Sequence, residues 1–152
     1  MSNEETGGPY LGIAVLCEKV LHDKDGVLSL IRVVDRLTVT ASEIGKPPEQ
    51  MPPVTVNLEA VIMFKSGTAK GNYTVTLRPV LPSGRLIQEI SLPILLEGED
   101  RGVNLVINVG LQAQEEGLYW FDVLLNGELI TRMPLRLQYQ RIALGSAGTP
   151  IH

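Results

Sequence analysis

The sequence predicts an all-β fold, a two-layer antiparallel sandwich, and three observations carry that reading. Strand-length apolar runs recur along the chain with the period-two alternation of half-buried strands. Turn residues punctuate them, with 15 Gly and 10 Pro among 152 residues. No segment has the length and pattern of an amphipathic helix; residues 111–116 have room for one turn at most. A chain of this length forms one domain. It buries roughly 68–70% of its unfolded surface, so the core needs no disulfide or metal staple. Aromatics make up only 5% of the residues. The core is therefore built from Val, Ile and Leu, whose shapes suit a pleated surface.

About eight strand-sized segments follow one another at the spacing of a sandwich or barrel. Residues 1–9 and 143–152 are polar or Gly-containing and read as flexible tails around a domain at 10–142. Residues 10–21 and 27–41 form the first two strands, joined through His22-Asp23-Lys24-Asp25-Gly26. Asp-Gly favours a tight turn because Gly takes positive φ at little cost. The run VLSLIRVV at 27–34 is nearly all apolar, the mark of a strand covered on both faces or bordering an interface. Residues 42–53 contain Pro47, Pro48, Pro52 and Pro53 and read as a loop crossing between layers.

Residues 54–65 alternate most clearly. Val54, Val56, Leu58, Ala60, Ile62 and Phe64 share one face, with Thr55, Asn57, Glu59 and Lys65 on the other. SGTAKGN then reads as a turn into residues 73–81, Pro82-Ser83-Gly84 as a turn into 86–96, and GEDRG as a turn into 103–111. The last hairpin has the strongest local signal: residues 117–125 and 129–139 flank Asn126-Gly127, a type I′ turn. Pro79, Pro93 and Pro134 fall inside strand-like segments, and proline cannot donate to a ladder on both sides. They mark edges or bulges. A sandwich of Ig-like or C2-like architecture has room for such edges, and a closed barrel has less.

The formal net charge of −4 is mild and both signs are mixed along the chain. No Lys/Arg-rich face is present of the kind that neutralises a phosphate backbone, which argues against nucleic acid as a partner. Cys17 is the only cysteine, so no intrachain disulfide is possible, and one unpaired thiol fits a reducing compartment. The opening MSNEETGG is acidic where a secretory signal would be basic, and no apolar run reaches the ~18 residues of a membrane span. A cytoplasmic location follows as the expectation.

Catalytic chemistry has few candidates. His22 beside a turn and His152 at the end are the two histidines, and neither HExxH nor CxxC spacing occurs. Cys17 would need His22 as its base to act as a nucleophile, and its apolar run predicts a buried, inert thiol instead. Acidic residues gather in expected loops: Asp23 and Asp25; Glu97, Glu99 and Asp100; Glu115 and Glu116. Loop carboxylates pooled at one end of a sandwich bind calcium in some proteins, yet solvated turn residues are the better account of them.

Tyr119, Trp120 and Phe121 are adjacent, so they alternate between faces. Tyr119 and Phe121 enter the core, and Trp120 faces outward with Asp122, either exposed as a partner hot spot or covered by a loop or a neighbouring long side chain. Asp35, with Arg32 and Arg36 beside it, interrupts an apolar strand and either faces solvent, pairs across strands or marks a binding surface. In residues 27–34, Val27, Ile31 and Val33 share one side and Leu28, Leu30 and Val34 the other. Only one side meets the core, so the second needs a loop such as 42–53 or another subunit. Leu28, Leu30, Arg32, Val34 and Trp120 are the candidate interaction surface.

Two stretches carry a family resemblance. A-V-L-C-E-K-V-L followed by D-x-D-G-x-L-S-L-I-R-V-V-D (14–35), and G-L-Y-W-F-D-V-L-L-N-G-E-L (117–129) with P-L-R-L (134–137), resemble an uncharacterised bacterial β-sandwich family, a domain of unknown function. The resemblance covers most of the chain, and the opening stretch gives it most of its specificity. It implies the fold and brings no activity, cofactor or catalytic residue. The functional expectation is a non-catalytic protein-interaction or assembly module, binding a protein partner or a second copy as a homodimer, with no cofactor, metal or membrane. A ligand-binding sandwich using its end loops for calcium or carbohydrate is the alternative.

Overall fold

Alternating apolar residues place one face of each strand in a common core, and the computed structural model, which describes residues 7–144, is built of strands throughout. They are β1 (Tyr10–His22), β2 (Leu28–Val34), β3 (Arg36–Ile44), β4 (Val54–Val80), β5 (Ile90–Ala113), β6 (Gly117–Leu125) and β7 (Glu128–Leu144). Seven strands replace the expected eight or so because two pairs of segments are fused and one segment is divided. The expected tails at 1–9 and 143–152 lie largely outside the described residues. Within those residues, Gly7 accepts a hydrogen bond from Thr68 (2.9 Å) and β7 continues to Leu144.

The fusions occur in β4 and β5. The SGTAKGN and GEDRG segments do not turn the chain back; they lie opposite each other inside one antiparallel ladder running from Val54↔Ala113 to Leu77↔Ile90. Register shifts between Lys65 and Lys70 bend that ribbon at mid-length. Gly67 makes the bend possible: its φ is 62°, and a Cβ there would overlap the carbonyl oxygen of Gly7. The strand expected from residue 86 starts at Ile90, leaving Leu86 in an isolated bridge to Val80.

Each half of the ribbon joins different neighbours. The first half of β4 pairs with β1, and β1 with β2, which together with residues 103–113 of β5 make a first limb. The second half of β4 pairs with β6, β6 with β7, and β7 with β3, making a second limb. The strand order is β2-β1-β4-β6-β7-β3, with β5 on β4. This is one continuous sheet curled into a half-barrel. The ladders are antiparallel except β3–β7, which is parallel.

The divided segment is 27–41. β2 and β3 stand at opposite ends of the strand order, yet only Asp35 separates them in the chain. Its carbonyl accepts the Arg136 N–H at 2.8 Å. The curl thus brings both ends of the sheet to a single residue.

The three prolines obey the ladder rule residue by residue. Pro93 lies on β5, whose far edge has no strand partner among the described residues. Pro79 lies beyond the last β4–β5 pair at Leu77, and Pro134 lies before the first β3–β7 pair at Arg136. The main core fills the hollow of the curl: Leu58, Ile62 and Phe64 of the first limb meet Leu77, Tyr119, Phe121 and Leu135 of the second. The loop expected at 42–53 begins only at 45, because residues 42–44 pair with β7 as the end of β3. Met51 enters the core and the Tyr139 hydroxyl donates to the Pro48 carbonyl (2.6 Å), so the 45–53 loop serves this core. A smaller cluster of Cys17, Val20 and Val61 is distinct from it, with Val15, Leu28, Leu30, Met63 and Val106 packed around.

Candidate functional site

The first limb ends at β2, an edge strand. Leu28 and Leu30 are half-buried in the small cluster, and Val34 is half-buried against the main core. Leu30 and Val34 are an even number of residues apart yet join different clusters, so simple alternation fails between them. Arg32 supplies the reason. Its φ of 56° puts it in the left-handed region, which disturbs the period-two alternation. The three leucine and valine residues expected to form one open surface therefore do not share a face. An aspartate at Leu30 would enter an apolar cluster. Val27, Ile31 and Val33 are the open side chains, exposed by 55%, 40% and 58%. Arg32 itself is exposed and pairs with Glu18 at 2.9 Å, a surface ion pair that adds about 0–1 kcal/mol.

β1 leaves β4 after Cys17↔Glu59. The Glu59 carboxylate then accepts the Val20 N–H at 3.0 Å, which satisfies a backbone group the ladder has dropped. Cys17 is fully buried beside this point, its thiol donating to the Lys19 carbonyl at 3.6 Å. Burial pushes the thiol pKa up, and the negative charge of Glu59 adds to the effect. No hydrogen bond joins Cys17 to His22, which is exposed at the end of β1. A thiol held in its neutral form without a base is a poor nucleophile.

The second limb presents a different outer face. Tyr119 and Phe121 are fully buried in the hollow. Trp120 and Asp122 take the opposite side of β6, where Arg132 stacks over the Trp120 ring with its guanidinium carbon 4.6 Å from the centroid. Asp122 is only 5% exposed and is held by Arg132 Nε at 2.6 Å and Arg78 at 3.1 Å. Trp120 is half-buried under that network. The ion pair was not foreseen from sequence, for a specific reason. Counting back from the Asn126-Gly127 turn sets Asp122 opposite Thr131, but a bulge between Val123 and Leu124 moves Arg132 there.

The acidic loops serve local needs. Asp25 accepts the Val27 N–H, Glu115 accepts from the backbone and hydroxyl of Ser83, and Glu97 pairs with Arg101. Among the described residues no three His, Cys, Asp or Glu side chains converge in a metal-binding group. An apolar cleft of about 270 Å³ opens between the limbs, lined by Leu77, Pro79, Ile90, Val109, Leu111 and Phe121. Among the described residues no helix is long and apolar enough to cross a membrane.

A family of unknown function, DUF6941, matches residues 12–138. The chain belongs to that family. The DUF6941 match runs from β1 into β7 and takes in both stretches on which the family resemblance rested. No curated protein matches the chain. Among solved structures, the Pseudomonas fluorescens alkylpurine DNA glycosylase AlkC bound to DNA containing an abasic site analog is similar with a TM-score of 0.39 and 11% identity. That similarity covers 66% of this chain and 27% of the glycosylase, so the chain spans about a quarter of that protein's length.

Proposed function

We propose that this DUF6941 chain is a non-catalytic protein-interaction or assembly module whose contact surface is the β1–β2 hairpin and the free edge of β2. One observation carries the reading. Among the described residues, half of the large exposed hydrophobic side chains belong to this hairpin: Tyr10, Ile13, Leu21, Val27, Ile31 and Val33. An edge strand flanked by such residues suits strand addition, in which an extended partner segment extends the ladder through main-chain hydrogen bonds and settles its side chains against apolar neighbours. We take the two limbs as the layers of an Ig-like or C2-like sandwich with β2 at the rim of one layer. The lone buried Cys17 fits a cytoplasmic setting.

Replacing Ile31 and Val33 together with Lys tests the proposal. A protein captured by the tagged wild type should bind the purified wild-type chain directly and fail to bind the double variant. Both chains should melt at similar temperatures, because both positions are open to solvent. Equal binding by wild type and variant would overturn the proposal.

A further inference from the structure

We infer that residues 103–113 of β5 pair with the same residues of a second copy, in an antiparallel two-fold ladder centred on Asn108. This rests on the reading of the chain as an assembly module and adds a partner and a second surface. Among the described residues β5 pairs with β4 alone, so its far edge carries a row of backbone groups with no described strand beside them. Edge strands are ordinarily blunted by charge, proline or a kink that discourages pairing. Two other edges of this sheet are blunted: Pro93 interrupts the first half of β5, and β3 carries Arg36 and is followed by Pro47 and Pro48. Residues 103–114, VNLVINVGLQAQ, contain neither a charge nor a proline.

The strand also matches itself. An antiparallel ladder with the largest overlap sets Val103 opposite Ala113, Leu105 opposite Leu111 and Ile107 opposite Val109, each pair on the core side. On the outer side it sets Asn104 opposite Gln112, with Asn108 facing its own mate; all three are exposed. Apolar residues thus meet apolar ones and amides meet amides, the pairings that stabilise a sheet. Val103, Leu105 and Val106 are only half-buried in the single chain, and a neighbouring strand would complete their burial. The apolar cleft touches the same edge at Val109, Gly110 and Leu111, so an added strand would run beside it. A two-fold contact of this kind closes on itself, the commonest arrangement for identical chains.

Sedimentation velocity of the full chain at up to tens of micromolar should show a concentration-dependent dimer. Asn108→Lys sets like charges against each other at the axis and should weaken association at least tenfold, with the folded circular-dichroism spectrum unchanged. Asn108→Cys should form a disulfide-linked dimer under mild oxidation, while the wild type, whose Cys17 is buried, and Val33→Cys should not. A wild type that stays monomeric overturns the inference, as does a dimer indifferent to Asn108→Lys. Cross-linking through Val33→Cys in place of Asn108→Cys would also overturn it, while leaving the β2 contact of the proposed function standing.

Discussion

Outside the first limb, Cys17, Val20 and Val61 are buried against aliphatic side chains, with one thiol as the polar group among them. Outside the second limb, Asp122 is buried between two arginines, one of which lies across Trp120. The same curled sheet produces both faces, so the difference lies in the side chains and in how each face is dried. The first is covered by neighbouring aliphatic residues and gains roughly 1.5–3 kcal/mol for each side chain it fully buries. The second is covered by the half-exposed Arg78 and Arg132, whose guanidinium groups close over the Asp122 carboxylate and, for Arg132, over the Trp120 ring. Its charge-assisted hydrogen bonds contribute about 1.5–3 kcal/mol each, offset in part by the desolvation of Asp122. One face excludes water by packing and keeps its single carboxylate, Glu59, at the margin on the Val20 N–H. The other is built around a charge and tolerates no loss of it.

The largest test of this contrast is Val61→Asp, which places on the first limb the kind of charge that the second limb holds. Val61 is fully buried with no cation in its cluster, so the variant should lose about 4 kcal/mol or more. Urea unfolding checks this, and a midpoint close to wild type would mean that water already reaches the cluster. Asp122→Ala reverses the experiment and should cost about 2–3 kcal/mol, because Arg78 and Arg132 then lose their shared acceptor. The figure stays modest because both arginines are partly open to solvent. A loss within error of zero would show that the pair merely offsets its own desolvation.

The smallest effect is expected at alkaline pH. The Cys17 pKa in the folded chain is raised from the ordinary 9.0, chiefly by burial and then by Glu59. The unfolded thiol therefore gives up its proton first. The stability this contributes is fully present below about pH 9 and is lost as pH rises toward the folded pKa. Burial raises the Tyr119 hydroxyl pKa above 10.0 in the same way, against a partly offsetting hydrogen bond to the Glu115 carbonyl. Urea titrations from about pH 7 to about pH 11 should show stability falling first through Cys17 and later, above about pH 10, through Tyr119. Cys17→Ala should abolish the earlier part alone. An unaltered profile in that variant would remove the thiol from the linkage.

Local chemistry made some elements legible and long-range pairing hid others. The Asn126-Gly127 turn forms as the dipeptide predicts, with φ of 49° and 82° at the two central residues. Residues 54–65 and 103–111 show their core faces in their alternation, and Tyr119 and Phe121 lie in the core as their spacing predicts. SGTAKGN and GEDRG misled because glycine allows a reversal and a bulge equally. Only the ladder between the two segments decides for the bulge, and that ladder joins residues far apart in sequence. The division at Asp35 was hidden likewise, since β2 and β3 read as one apolar run until β7 claims the second part. Arg32 is a residue type with no preference for positive φ, so nothing local announced the kink that sorts Leu30 from Val34. In the candidate site, Trp120 was legible as outward-facing, whereas the Asp122–Arg132 pair depended on a bulge that leaves no mark in the sequence.

The parallel ladder between β3 and β7 has a consequence during synthesis. Each β3 residue pairs with the residue numbered one hundred higher, from Arg36↔Arg136 to Ile44↔Leu144. At roughly 5–20 residues per second, a ribosome leaves β3 without its partner for on the order of 5–20 s after making it. Over that interval the chain carries an unfilled strand position beside a hairpin, β1–β2, that can already form. Such exposed edges are where nascent chains aggregate or recruit chaperones. The join at Asp35 thus gives the newly made protein a vulnerable period that ends only when its last strand emerges.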